Sequence, residues 1–370
     1  MMKITAGLGR IDDYEDYVRA GADELFAGYV PAEWLLSAGA WEPLNRREVN
    51  FVNVQLGTQS ELEILADMVR ACGVPVTLTI NSPFYSPERY PMILEIMERC
   101  RNLGFSSFII ADPVLLCRIR GAGLTGLDLH LSGEAGAVNR YAVSFAREHG
   151  VSRIIFPRKT DIDEMASVIR AEREREPDHP MSFEAFAMNE MCHYDGAWCM
   201  SLHCDAFSPA CRLPCRLVPA GNANRKNAKP VCWIAQKGQK PLDAQRGQDG
   251  QKGRDMQKGQ RMQPPRCDAE DQTGNMTQSN AAPGIEAVPG ASGCGLCALY
   301  SLREAGVTHL KVVSRGEESA EAVEDIRALR TALDILENSA DRESYISEMK
   351  RTVFPRGCGR KCYYPDLSGN

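Results

Sequence analysis

The sequence predicts an α/β fold, a (β/α)8 TIM-like barrel with a disordered polar insertion before its last strand. Three observations carry this. Strand-like and helix-like patterns alternate through the first 190 residues, an eighth strand pattern lies near residue 310, and a long polar stretch separates the two. A doubly wound open sheet gives the same alternation, and the count of eight favours the barrel.

Strand-like runs fall at 3–7, 23–29, 75–81, 105–111, 127–132, 152–157 and 181–187, and the eighth at 307–313. Helical patterns lie between them. Residues 61–72 place apolar groups at 62, 64, 65, 68 and 69. Residues 87–103 do so at 92, 93, 94, 96 and 97 and stop before Gly104. Residues 161–171 open with an acidic first turn, and 296–305 lead into the last strand. After Gly316 a long amphipathic helix carries apolar residues at 320, 323, 326, 329, 333 and 336.

The chain has 370 residues, 44% hydrophobic and 25% charged, enough for one large α/β domain or two smaller ones. A net charge of −6 argues against a wholesale nucleic-acid binder. No apolar run reaches the length of a membrane span, and the opening residues show no signal-peptide core, so a cytoplasmic location is expected. In that compartment thiols stay reduced.

Residues 221–293 break the pattern. Gln, Gly, Lys, Arg, Asn and Asp dominate, and such a composition buries too little apolar surface to fold alone. Residues 222–266 hold eleven Lys/Arg and three Asp, a local charge of +8. A disordered surface insertion is the expectation, and a basic arm for RNA the sharper alternative. The domain reading is therefore a barrel of 1–220 and 294–335, an insertion of 221–293, and a C-terminal helix with a cysteine-bearing tail over 336–370.

Five of the fourteen cysteines crowd into Cys192-x6-Cys199-x4-Cys204-x6-Cys211-x3-Cys215. Two pairs lie beyond, Cys294-x2-Cys297 and Cys358-x3-Cys362. Cys72, Cys100 and Cys117 suit buried hydrophobes at helix ends, but the crowded run suits a metal or an iron–sulfur cluster. Zinc favours close knuckles, and only Cys294/Cys297 has that spacing, so the irregular gaps favour a cluster over zinc. The run starts five residues after the seventh strand, on the face where barrels place their chemistry. A second metal involving Cys358 and Cys362 stays open.

Gly121-Ala122-Gly123-Leu124-Thr125-Gly126 spells GxGxxG, but it follows a helix and precedes a strand, so it reads as a helix stop and turn. No HExxH, GxSxG or Walker sequence occurs. Asn81, His130, Asn139 and Arg158 end or follow strands and are candidate substrate-binding groups; Asn81 and Asn139 also suit helix caps. Arg158 suits a carboxylate. Glu184 and His193 are the candidate catalytic groups.

Glu184-Ala185-Phe186-Ala187-Met188-Asn189-Glu190-Met191-Cys192, followed by Gly196, Cys199 and Ser201, resembles the signature of the U32 peptidase (collagenase-like) family. Cys211-Arg212-Leu213-Pro214-Cys215-Arg216 is similar to its C-x-Q-P-C-R element. Gly295-Leu296-Cys297 with Ala305-Gly306-Val307-Thr308-His309-Leu310-Lys311 is similar to its D-L-C…A-G-V-x-x-L-K stretch. The chain departs from the pattern at Asn189 (Gly in the family), Glu190, Lys159 and Ser314-Arg315-Gly316. The resemblance implies an iron–sulfur protein of oxygen-independent hydroxylation, acting on an aromatic or RNA-base substrate, with prephenate a hydroxyl source in some branches. It implies a 4Fe–4S cluster on Cys192, Cys199, Cys215 and Cys297, with Cys211 and Cys294 the near alternatives. A U32-type peptidase and a non-catalytic partner subunit are the competing functions.

Overall fold

The computed structural model describes residues 1–38, 42–48, 54–189, 191–192, 199, 203–204, 289–359 and 361–367. Eight strands form the barrel: β1 (Lys3–Leu8), β2 (Glu24–Tyr29), β3 (Val76–Ile80), β4 (Ser107–Ile110), β5 (Asp128–Leu131), β6 (Val151–Ile155), β7 (Ser182–Met188) and β8 (His309–Val312). Each pairs in parallel with its neighbours in sequence, and β1 pairs with both β2 and β8, so the sheet closes. The expected (β/α)8 barrel is present. The sixth strand starts and stops earlier than its pattern, and the eighth is shorter than 307–313.

Ten helices accompany the strands among the described residues: α1 (Tyr14–Ala20), α2 (Ala32–Ala38), α3 (Gln59–Cys72), α4 (Tyr90–Asn102), α5 (Pro113–Gly121), α6 (Arg140–Glu148), α7 (Ile162–Arg175), α8 (Leu299–Ala305), α9 (Ser319–Glu337) and α10 (Arg342–Val353). Local chemistry sets their ends. Thr58 and Glu61 form a capping box at α3, and Asp161 and Glu164 another at α7, so four otherwise orphaned amides find partners. The GxGxxG stretch is the turn expected of it: α5 ends at Gly121, and Gly123 and Gly126 take φ of 69° and 74° before β5.

Side chains alternate across each strand, and the two faces differ in chemistry. Outward residues such as Ile4, Leu25, Leu78, Phe108, Ile154, Phe183 and Leu310 join the helices in one continuous apolar core. In that core α9 buries Ala322, Ile326, Leu329, Leu333 and Leu336. Inside the barrel the apolar part is small: Phe26, Ile109, Ile155, Phe186 and Val313. The remaining inward positions are polar or charged, among them Thr5, Glu24, Thr77, Thr79, His130, Arg153, Glu184, His309 and Lys311.

Candidate functional site

The floor of the barrel interior is an ion network drawn from four strands. Arg153 Nη1 donates to Glu24 Oε2 at 2.7 Å and to Glu184 Oε2 at 3.2 Å. Lys311 Nζ donates to Glu184 Oε1 at 2.7 Å and lies 3.6 Å from the Phe26 ring centroid. Lys3 Nζ also donates to Glu24 Oε1 at 3.3 Å from the solvent side, so two carboxylates are shared among three cations. Burial works to raise the Glu184 carboxyl, but the charges of Lys311 and Arg153 outweigh it and hold the group ionised. Burial lowers the Lys311 ammonium, and Glu184 opposes it.

His130 sits beside this network. Burial lowers its imidazole below the ordinary range, with the Asp128 carboxylate opposing, so the ring is neutral. Its Nε2 lies 2.9 Å from Asp128 Oδ2, and an ionised carboxylate only accepts, so Nε2 carries the proton. Nδ1 then keeps a bare lone pair, buried and without a hydrogen-bond partner among the described residues. Glu184 and His130 both lie at the floor, near enough to act on each other's charge.

The mouth, at the C-terminal ends of the strands, is built by a second group. Arg46 donates from Nε to Glu134 Oε2 at 3.1 Å, and Arg158 donates from Nη1 to Glu134 Oε1 at 3.2 Å. The Arg158 guanidinium lies 4.2 Å from the Phe186 ring centroid. Tyr363, from the tail, stacks near Phe186 at 6.4 Å and 20° and donates its hydroxyl to Asn189 O. Tyr364 donates its hydroxyl to Phe186 O at 3.0 Å. Arg46 also joins two expected residues to this group: its amide donates to Asn81 Oδ1 at 3.0 Å, and its Nη2 to the carbonyl of Cys199 at 2.8 Å.

Cys199 is buried, and Cys192 is half-buried just past β7. Asn139 is placed differently: its Oδ1 accepts from the amides of Tyr141 and Ala142 at 3.0 Å each, so the side chain is taken up in capping α6. Cys297 lies in the 3-10 turn Leu296–Ala298, in a pocket it shares with Cys294, Cys358 and Cys362. His193, Cys215 and Cys211, and the insertion as far as 288, lie outside the described residues. Asn189 adopts φ 60°, a left-handed conformation that Asn tolerates better than most residues.

Asn189 also anchors the segment that returns to the barrel at residue 289. Its amide donates to Asp325 and Glu317, while Gly290 N donates to Asp325 Oδ1 at 2.6 Å. Burial pushes the Asp325 carboxyl up to about 6, against the hydrogen bonds from Gly290 and Asn189.

Sequence reasoning missed Arg46, Glu134, Phe186 and Tyr363 as site residues. Arg46 falls in an irregular stretch without periodicity. Phe186 reads as an ordinary strand aromatic. Tyr363 lies in the tail, far from the barrel in sequence. Glu134 has no signal in the sequence beyond its place after β5.

The thiols suit an iron–sulfur cluster in donor chemistry: Cys192 and Cys199 are not in disulfides, are partly or fully shielded, and Arg46 holds the Cys199 carbonyl. No helix among the described residues is long and apolar enough to cross a membrane.

The chain is similar to proteins already described. The chain is 32% identical over 200 residues to tRNA hydroxylation protein P of Haemophilus influenzae, covering 53% of this chain and 38% of that protein. It is 26% identical over 200 residues to tRNA hydroxylation protein P of Escherichia coli, covering 53% and 39%. It thus spans well under half the length of these curated relatives. The solved structure of the U32 peptidase Mk0906 superposes with a TM-score of 0.38 at 15% identity, over 51% of this chain and 69% of that one. The family model Peptidase_U32, peptidase family U32, matches residues 9–368, and the chain belongs to that family.

Proposed function

We propose that this chain is an iron–sulfur protein of oxygen-independent hydroxylation that acts on a base of transfer RNA. The observation that carries the reading is the position of Cys192 and Cys199. They follow the strand that supplies Phe186 and Glu184, and Arg46 ties the Cys199 carbonyl to the Glu134–Arg158 pair at the mouth. Cys192, Cys199 and Cys215 would hold the cluster, with a fourth thiolate from Cys297 or Cys211. Bound there, the cluster supplies electron transfer and a Lewis-acidic iron.

This chain's own residues do the positioning. Phe186, Tyr363 and the Arg158 guanidinium offer flat surfaces of the kind on which unstacked bases settle. Arg46 and Arg158 converge on the Glu134 carboxylate, and guanidinium groups are suited to the carboxylate of a small hydroxyl donor or to a phosphate. His130 Nδ1, neutral and dry, accepts a proton or hydrogen bond from whatever reaches the floor. The names of the relatives support tRNA as the substrate class, and their function is hydroxylation.

Anaerobic purification tests this. A brown protein with about four iron and four sulfide per chain is expected, bleached in Cys192→Ser and Cys199→Ser. Nucleoside mass spectrometry of tRNA from cells lacking the gene should show one modified base short of an oxygen, restored by the wild-type gene only. A colourless protein, or an unchanged nucleoside profile, sinks the reading. Gelatin cleavage that survives loss of both thiols would restore the peptidase.

A further inference from the structure

We infer that Cys294, Cys297, Cys358 and Cys362 form a four-thiolate zinc site, separate from the cluster thiols, that fastens the C-terminal tail to the barrel. The two pairs are 60 residues apart in sequence, yet all four side chains line one small pocket, walled also by Phe354 and Tyr364. It leaves about 20 Å³ for the centre of a water-sized body, roughly what a single small occupant takes.

The backbone already holds the two pairs together. Cys294 N donates to Lys361 O at 2.8 Å, and Tyr363 N donates to Cys294 O at 2.8 Å, which sets Cys294 beside Cys362 in a parallel bridge. The Cys294-x2-Cys297 spacing is that of a structural zinc knuckle, and Cys358-x3-Cys362 is one residue longer. The Leu296 amide hydrogen-bonds to the Cys294 thiol, so one sulfur already accepts a backbone N–H within its own knuckle. All four thiols are free. Four thiolates around a divalent ion leave two negative charges, and Lys350 and Arg342 of α10 stand close enough to Cys297 to act on its charge. Among the described residues no three His, Cys, Asp or Glu side chains are yet gathered tightly enough to hold an ion, so ligation requires the thiols to turn inward about χ1 on a fixed backbone.

The site has a clear structural use. Residues 354–367 contain only one short 3-10 turn, and such a segment has little regular hydrogen bonding to hold it. It nevertheless delivers Tyr363 and Tyr364 to Phe186 and Asn189 at the mouth. A metal fixing Cys358 and Cys362 to the Cys294 turn would hold both tyrosines in place. Cys297 is then spent on zinc, and the cluster takes Cys211 as its fourth thiolate beside Cys192, Cys199 and Cys215.

Metal analysis of the full chain, purified anaerobically from zinc-replete cells, tests this apart from the cluster reading. About one zinc per chain is expected, lost in C358S/C362S with iron unchanged and kept in C192S/C199S with iron lost. Because a variant can fail to fold, the wild-type chain is also alkylated before and after a zinc chelator, with the peptides mapped by mass. The chelator should expose Cys294, Cys297, Cys358 and Cys362 together. No zinc above background, equal alkylation of the four with and without chelator, or loss of iron from C358S/C362S would each overturn the assignment.

Discussion

Leu310 and Lys311 are neighbours on one strand and live in opposite worlds. Leu310 faces outward into the continuous apolar core between sheet and helices. Lys311 faces inward, where the apolar cluster has only five residues and ions fill the rest. The outer face holds the fold through non-directional burial, which tolerates exchange of similar side chains. The inner face holds charges whose mutual pairing is costly to arrange and costlier to break. Stability is thus concentrated outside the barrel, and chemical specificity inside it.

The comparison can be broken at Lys311 first. Lys311→Met leaves Glu184 buried and short of its closest cation, and should destabilise by about 3–5 kcal/mol in denaturant unfolding. Adding Glu184→Gln should recover much of that, because no uncompensated charge remains. If the single and double variants are equally unstable, the network is held by packing and not by charge. Next, Leu310→Ala should cost about 3 kcal/mol from lost burial and a cavity, with little dependence on pH.

The third test moves to the mouth. Asp325 has its carboxyl raised from 3.8 to about 6. A group raised on folding contributes stability that is complete below its unfolded value and is lost as pH rises through the folded one. Wild type should therefore lose, relative to Asp325→Asn, on the order of 3 kcal/mol between about pH 4 and pH 7. A flat difference across that window would show that the Gly290 and Asn189 contacts hold the carboxylate fully ionised. The smallest effect is expected at Asn139. Asn139→Ala removes the α6 cap and should cost about 1 kcal/mol, with the proposed tRNA hydroxylation, per folded molecule, unchanged. A selective loss of hydroxylation would return Asn139 to the pocket.

The barrel was legible because buried parallel strands leave short apolar runs, and the helices between them leave a 3.6-residue rhythm. The short helices α1, α2 and α6 escaped, since seven to nine residues carry few turns of that rhythm. Asn139 was legible from its place before a helix. The floor was not. Glu24, Arg153 and Lys311 each look like a solvent-facing position of an alternating strand, and only closure of the sheet turns that face inward. The mouth was harder still, because Arg46, Glu134, Phe186 and Tyr363 converge from four separate parts of the chain.

Tyr364 reaches back to Phe186 across 178 residues of sequence. A chain emerging from the ribosome therefore forms β7 long before the tyrosines that cover its end exist. During that interval the Phe186 and Asn189 carbonyls lack the two hydroxyls that bind them in the finished fold. The contacts that fasten the tail to β7 are therefore among the last the chain can make.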